Sequence, residues 1–210
     1  MTGESPAYRP SIRDVRVALA TSGEHRPSLR ELRSAVFFDR DGTLIKDVGY
    51  IKRPEDVELV PHAAQAVRRL NYALWPVFVV TNQSGIARGL LSEHDYERVR
   101  DCLDDQLAER SAYIYAHYHC PHHPDYTGPC LCRKPGTELF DRAMTEHAIN
   151  AATSVFVGDR WRDVELALHY GAKGILVPSA ATPVEDIARA AEQLTVLETL
   201  NDAVHLILNV

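Results

Sequence analysis

The chain has 210 residues, 45% of them hydrophobic and 25% charged, a composition that excludes disordered, collagenous and coiled-coil proteins. Lys and Arg number 23 against 29 Asp and Glu, a net charge of -6, so a global basic field for nucleic acid is absent. The longest apolar run, Leu74 to Val80, falls far short of the roughly 20 residues that span a bilayer.

Residues 1–33 carry Pro6, Pro10 and Pro27 with little apolar periodicity, and read as a mobile extension with a short helix around Ile12 to Ala20. Arg13, Asp14 and Arg16 interrupt the only N-terminal stretch that could serve as a secretory core, so the expectation is a cytoplasmic protein. From residue 34 to 210 the pattern is that of one domain. Short continuous apolar runs at Ala35 to Asp39, Val77 to Thr81, Ser154 to Asp159 and Gly174 to Pro178 read as strands buried on both faces, as in a parallel sheet. Helical patterns fall between them: Pro61 to Asn71, then Ser92 to Arg110, where Ser92 and Asp95 form a capping-box pattern, then Gly136 to Ile149 and Trp161 to Tyr170. Leu194 to Leu197 reads as a last strand and the segment through Ala203, Leu206 and Ile207 as a last helix. Alternating strands and helices predict a doubly wound α/β fold of the Rossmann-like kind.

Ligands of an open parallel sheet collect at the carboxyl ends of its strands. Three of the four clearest strands end in Asp39, Thr81 and Asp159. Asp41 follows Asp39 at a spacing that lets both project to one side, and Gly42 permits a sharp turn after them. Adjacent carboxylates repel, so the pair calls for a cation or a shared proton.

Asp39-x-Asp41-Gly42-Thr43, Thr81 after an apolar strand, Lys134, and Gly158-Asp159-x-x-x-Asp163 stand in the order of the four signature motifs of the haloacid dehalogenase superfamily, which residues 35–178 resemble. The resemblance implies that Asp39 is a nucleophile attacking phosphorus and that Asp41 is the acid and base for the leaving alcohol and the incoming water. It implies Mg²⁺ held by Asp39, the backbone carbonyl of Asp41 and Asp159. Asp163 would orient a metal-bound water or Lys134, and Thr81, Asn82 and Lys134 would grip the phosphoryl group.

Cys120, His122, Cys130 and Cys132 bring three thiols and an imidazole together within thirteen residues. That spacing suits one tetrahedral, structural Zn²⁺ of the Cys₃His type, with His123 as an alternative ligand and His117 and His119 on the preceding strand. Pro121, Pro124, Gly128 and Pro129 argue against helix or strand in this loop, so a metal would supply its order. Cys102, inside the Ser92 helix pattern, reads as a packing residue.

The loop at 120–132 runs directly into Arg133 and Lys134. This combination resembles the heptose 1,7-bisphosphate 7-phosphatases and the related histidinol-phosphate phosphatases, neither of which carries a large cap domain. The stretches Thr81 to Gly89 and Asp39 to Tyr50 favour the heptose group, while only seven residues separate His122 from Cys130, fewer than in some relatives. A second phosphate on a sugar needs cations, for which Arg88 and Arg133 are the first candidates and Arg160 and Lys52 the next. The resemblance thus implies a monomeric Mg²⁺- and Zn²⁺-containing phosphatase that acts on a small phosphosugar and has neither nucleic acid nor membrane as partner. Its rivals are a histidinol-phosphate phosphatase, a polynucleotide 3′-phosphatase, and a non-catalytic zinc module that binds phosphosugars, which would have no need of the Asp39–Asp41 pair.

Overall fold

The structure, a computed structural model, describes residues 32–209; the expected extension and its short helix lie outside them, apart from its last two residues. Six parallel strands are arranged in the order β3-β2-β1-β4-β5-β6. They are β1 (Val36–Phe38), β2 (Val77–Asn82), β3 (Ala116–Cys120), β4 (Val155–Gly158), β5 (Lys173–Leu176) and β6 (Thr195–Val196). The helices are α1 (Ala63–Tyr72), α2 (Glu93–Ala108), α3 (Pro124–Thr127), α4 (Glu138–His147), α5 (Trp161–Val164), α6 (Leu166–Tyr170), α7 (Val184–Gln193) and α8 (Leu200–Leu208).

The sheet is buried on both faces, as its continuous apolar strands require. Val36 and Phe38 face one side, where Val67 and Leu70 of α1, Val99 and Leu103 of α2, and Val204 of α8 cover them. Phe37 faces the other side in register with Phe78 and Phe156. Its ring stacks at 5.2 Å on each of those two and meets Phe140 of α4 edge-on at 5.6 Å. Such aromatic pairs add about 0.5–1.5 kcal/mol each beyond the area they bury. The central strands are therefore fixed rigidly where their ends must carry chemistry.

The chain runs outward from β1 through β2 to β3, then returns to β4 on the other side of β1 and continues outward to β6. The strand ends at β1 and β4 form the topological switch point, where a crevice opens.

Several local expectations are corrected. A turn of helix, α3, forms within the Cys/His loop, because Pro124 occupies its first position, where a missing N–H costs nothing, and His123 Nδ1 accepts the Asp125 N–H at 3.2 Å. Cys120 belongs to β3, so the loop also begins in a strand. The Trp161 to Tyr170 pattern forms two short helices flanking Glu165 rather than one. Helix α7 has no counterpart in the sequence reading, although it is amphipathic: Ala190 is buried in a cluster with Trp161, Val164 and Leu176, and Ile187 packs against that cluster. The Ser92 cap is as expected: Ser92 Oγ accepts the Asp95 N–H at 3.1 Å and Asp95 accepts the Ser92 N–H at 2.9 Å.

Candidate active site

The Asp39 N–H bonds to the Val157 carbonyl at 2.9 Å, extending the β1–β4 ladder by one residue and setting its carboxyl at the switch point. Asp159 follows β4 directly. The turn after Asp39 is closed by the Arg40 carbonyl, which accepts from Leu44 at 2.9 Å and Ile45 at 3.0 Å. Gly42 adopts φ +85° there, and a Cβ on it would collide with the Asp159 carboxylate, so only glycine lets the two strand ends approach. A Cβ on Gly158 would likewise strike Asp163.

Lys134 arrives from the end of the Cys/His loop. Its ammonium donates to Asp39 Oδ1 at 2.5 Å and the Val80 carbonyl at 2.7 Å, and pairs with Asp163 Oδ1 at 2.7 Å. Burial opposes its charge, but Asp163 and Asp39 outweigh that and hold it above the usual lysine range. For Asp39 burial dominates: desolvation lifts its carboxyl to about 7 despite Lys134. Burial also raises Asp159, although Ser179 Oγ donates to its Oδ2 at 2.7 Å.

The carboxylates of Asp39, Asp159 and Asp163 offer oxygens that all lie within 4.8 Å of one another, and Asp159 Oδ1 is buried without a hydrogen-bond partner among the described residues. Three buried acids against one lysine, with an orphaned oxygen among them, fit a hard divalent cation. The Asp41 side chain is not part of that group. It turns to Arg40, which grips both its oxygens at 2.9–3.1 Å, and to Gln83, which donates to Oδ2 at 2.7 Å. Thr81 Oγ1 lies 3.4 Å from the same oxygen.

Asn82 stands in the cleft wall, as expected of a residue near the substrate, and also braces Lys134: it accepts the Lys134 N–H at 2.9 Å and donates to its carbonyl at 3.2 Å. Around these groups lies a cleft of about 310 Å³, whose wall includes Asp47, Tyr50, Arg160 and Arg162. Arg160 is paired with Asp159 at 3.5 Å and Asp47 at 3.7 Å. Arg88 and Arg133 do not line the cleft. Arg88 bonds His123 Nε2 at 2.7 Å with its guanidinium over the rings of Tyr50 and Tyr126, and Arg133 reaches the His122 carbonyl at 3.4 Å. Neither makes an ion pair among the described residues, and Lys52 is exposed.

The four loop ligands converge. Cys120 Sγ lies 2.9 Å from Cys132 Sγ and 3.7 Å from Cys130 Sγ; Cys132 and Cys130 are 3.5 Å apart, and His122 Nδ1 is 3.2 Å from Cys132 Sγ. No disulfide links them. A tetrahedral zinc with sulfur at ~2.3 Å has edges of about 3.8 Å, so the cluster is near the required size. Burial pushes the Cys120 and Cys132 thiols up, and a soft cation is what would bring them to thiolates. His123 is turned outward to Arg88 and the start of α3, leaving His122 as the ligand. Cys102 donates to the Pro54 carbonyl at 3.3 Å, away from the cluster.

Sequence reasoning missed Arg40, Gln83, Ser179 and Arg162. Ser179 obeys the strand-end rule, lying just after β5, and could have been found by it. Gln83 obeys it too, as the residue directly after β2, whereas Arg40 gave no signal, since a buried ion pair between adjacent residues has no periodicity.

A family model described as Polynucleotide kinase 3 phosphatase matches residues 34–166, and one described as HAD-hydrolase-like matches residues 131–203. The D-glycero-D-manno-heptose-1,7-bisphosphate 7-phosphatase of Thermosynechococcus vestitus is 43% identical over 154 residues, covering 69% of this chain and 79% of that protein. The D-glycero-beta-D-manno-heptose-1,7-bisphosphate 7-phosphatase of Yersinia pestis is 34% identical over 177 residues, 81% of this chain and 94% of that protein. A crystal structure of D,D-heptose 1,7-bisphosphate phosphatase from B. bronchiseptica, complexed with magnesium and phosphate, has a TM-score of 0.76 at 30% identity, covering 83% of this chain and 98% of that one.

Proposed function

The chain belongs to the haloacid dehalogenase-like phosphatases, and from that membership we propose that it removes the 7-phosphate from D-glycero-D-manno-heptose 1,7-bisphosphate on the route to nucleotide-activated heptose. The observation that carries the reading is the convergence of Asp39, Asp159, Asp163 and Lys134 at the strand ends, in a chain whose relatives are named for that reaction.

Asp39 attacks phosphorus, the bond to the sugar oxygen breaks, and the Asp41 carboxyl gives that oxygen its proton. Asp41 then takes a proton from water as the water oxygen bonds to phosphorus, releasing phosphate and restoring Asp39. Lys134 and Thr81 hold the phosphoryl oxygens, and Asp163 holds Lys134. Mg²⁺, held by Asp39, Asp159 and the Asp41 carbonyl, would offset the negative charge that gathers there. Zn²⁺ on Cys120, His122, Cys130 and Cys132 would fix the loop that delivers Lys134.

The sugar's second phosphate falls to Arg133 and Arg88, because these rim cations have no carboxylate partner while Arg160 is engaged by Asp47 and Asp159. The reading includes a cytoplasmic monomer; among the described residues no helix is long and apolar enough to cross a membrane. A polynucleotide substrate is disfavoured by the net charge of -6. The test is phosphate release from both anomers of the heptose bisphosphate, histidinol phosphate, fructose 1,6-bisphosphate and a 3′-phosphorylated oligonucleotide. A preference for any substrate but the heptose bisphosphate overturns the assignment.

A further inference from the structure

Arg40 fills the middle position of the D-x-D motif, where an extended chain would point it away from both acids. It is instead 2% exposed and folded back onto its own neighbour. Its Nε and Nη2 reach Asp41 Oδ1 at 3.1 and 2.9 Å, and Nη2 also reaches Oδ2 at 3.0 Å. Tyr96 of α2 packs under the guanidinium at 5.5 Å from its ring centroid. Arg40 Nη1 and the Tyr96 hydroxyl are both buried without a hydrogen-bond partner among the described residues. An arginine that leaves a donor unsatisfied in the interior is costly, on the order of 1–3 kcal/mol. A stability role would be better served by an apolar residue of that size.

Gln83 completes the arrangement from the other strand end. It is buried, and its single amide nitrogen donates to Asp41 Oδ2 at 2.7 Å and to Thr81 Oγ1 at 2.9 Å. Its own N–H is fixed to the Cys120 carbonyl at 2.8 Å. The Asp41 carboxylate is thus held by two planar donors in the same site as the orphaned Asp159 oxygen, yet outside the group of carboxylates that fits a metal. Left unrestrained, a second carboxylate beside Asp39 and Asp159 would be drawn to any cation there.

We propose that Arg40 and Gln83 are positioning residues that clamp the Asp41 carboxyl in one rotamer, turned from the carboxylates of Asp39, Asp159 and Asp163, for proton transfer to the leaving oxygen. The proposal rests on the reading of Asp41 as acid and base. A clamp of this kind contributes only where proton transfer matters. It is felt in formation of the aspartyl-phosphate from an alkyl phosphate, whose leaving alkoxide needs a proton, and scarcely in that same step from p-nitrophenyl phosphate, whose leaving phenolate does not; hydrolysis of the aspartyl-phosphate needs Asp41 with both substrates.

The experiment measures kcat and KM on the heptose bisphosphate and on p-nitrophenyl phosphate for Arg40→Lys, Gln83→Met and Asp41→Asn. Arg40→Lys keeps the charge but loses the two-point grip, and Gln83→Met keeps the volume but loses the amide. Both should lower kcat/KM on the alkyl substrate about 10- to 100-fold, part of the 10²–10⁴ that general acid–base catalysis supplies, and this ratio reports the step in which the leaving group departs. The ratio of alkyl to aryl kcat/KM should fall at least tenfold, and more in Asp41→Asn. If Asp41→Asn shows this split and the two clamp variants lose both substrates equally or neither, the clamp is overturned while the reading of Asp41 stands. If Asp41→Asn shows no split, the reading of Asp41 falls and the clamp with it. Gln83→Met alone decides the question if Arg40→Lys does not fold.

Discussion

The carboxylate pocket and the Cys/His loop sit side by side but are assembled in opposite ways. The pocket draws on residues up to 124 positions apart, from Asp39 to Asp163, each set by the end of a buried strand or the turn beyond it. The loop gathers its four ligands from thirteen consecutive positions, on a segment whose only regular structure between Cys120 and Cys132 is one turn of helix. A scaffold of interdigitated aromatic rings holds the first in place without any ligand. The second has little apolar material, and a metal on its four converging side chains would supply its order. Long-range assembly yields a rigid, dense set of charges, while local assembly yields a loop that ends by delivering Lys134 to that set.

The hardest test of this division is Asp39→Asn. It should lower kcat by three or more orders of magnitude, since a covalent route without its nucleophile loses nearly all its acceleration. Zinc content and the thermal unfolding curve should be those of the parent, because the loop does not depend on Asp39. Activity above about a tenth of the parent's would refute the nucleophile.

Arg133→Ala comes next and sharpens the comparison, since Arg133 belongs to the loop side and Arg160 to the pocket side. A charge-assisted bond to phosphate contributes on the order of 1.5–3 kcal/mol, so kcat/KM for the bisphosphate should fall roughly 10- to 100-fold. Steady-state kinetics on p-nitrophenyl phosphate, which has no second phosphate, should change little. Arg160→Ala should cost the bisphosphate less. The reverse order would move the second phosphate to the pocket side.

Cys130→Ala should release the loop's metal, read by elemental analysis after dialysis against Mg²⁺, and lower kcat/KM about tenfold through misplacement of Lys134. Cys102→Ala should leave both unchanged. Full activity in the metal-free variant would mean that the loop does not organise the pocket. Smallest is Ser92→Ala, which lies outside both regions: losing the α2 cap should cost about 1 kcal/mol in chemical denaturation, with kcat and KM unaltered.

The strand ends were legible from sequence wherever an apolar run stopped at a polar residue, as at Asp39, Thr81 and Asp159. The Cys/His group was legible because ligands and spacing lie in one short segment. β3, expected as the strand that carries His117 and His119 into the loop, is an edge strand that alternates buried Tyr118 and Cys120 with those half-buried histidines. α7 was missed although it is amphipathic: only Ala190 on its inner side is fully buried, with Ile187 half-buried beside it.

What the sequence by itself determined is therefore the fold class, the order of the strands' chemistry and the Cys/His loop whose four side chains could hold a metal. These follow from hydrophobic runs and local spacing, which are properties of neighbouring residues. Tertiary structure alone decided how the polar groups are shared out. It turned Asp41 away from Asp39 and Asp159 toward Arg40 and Gln83, tied Asn82 at the cleft wall to the Lys134 backbone, and left Arg133 on a backbone carbonyl while engaging Arg160 with carboxylates. A side chain's partner depends on which strand end lies next to it, and that is set by the β3-β2-β1-β4-β5-β6 order, which no stretch of neighbouring residues encodes.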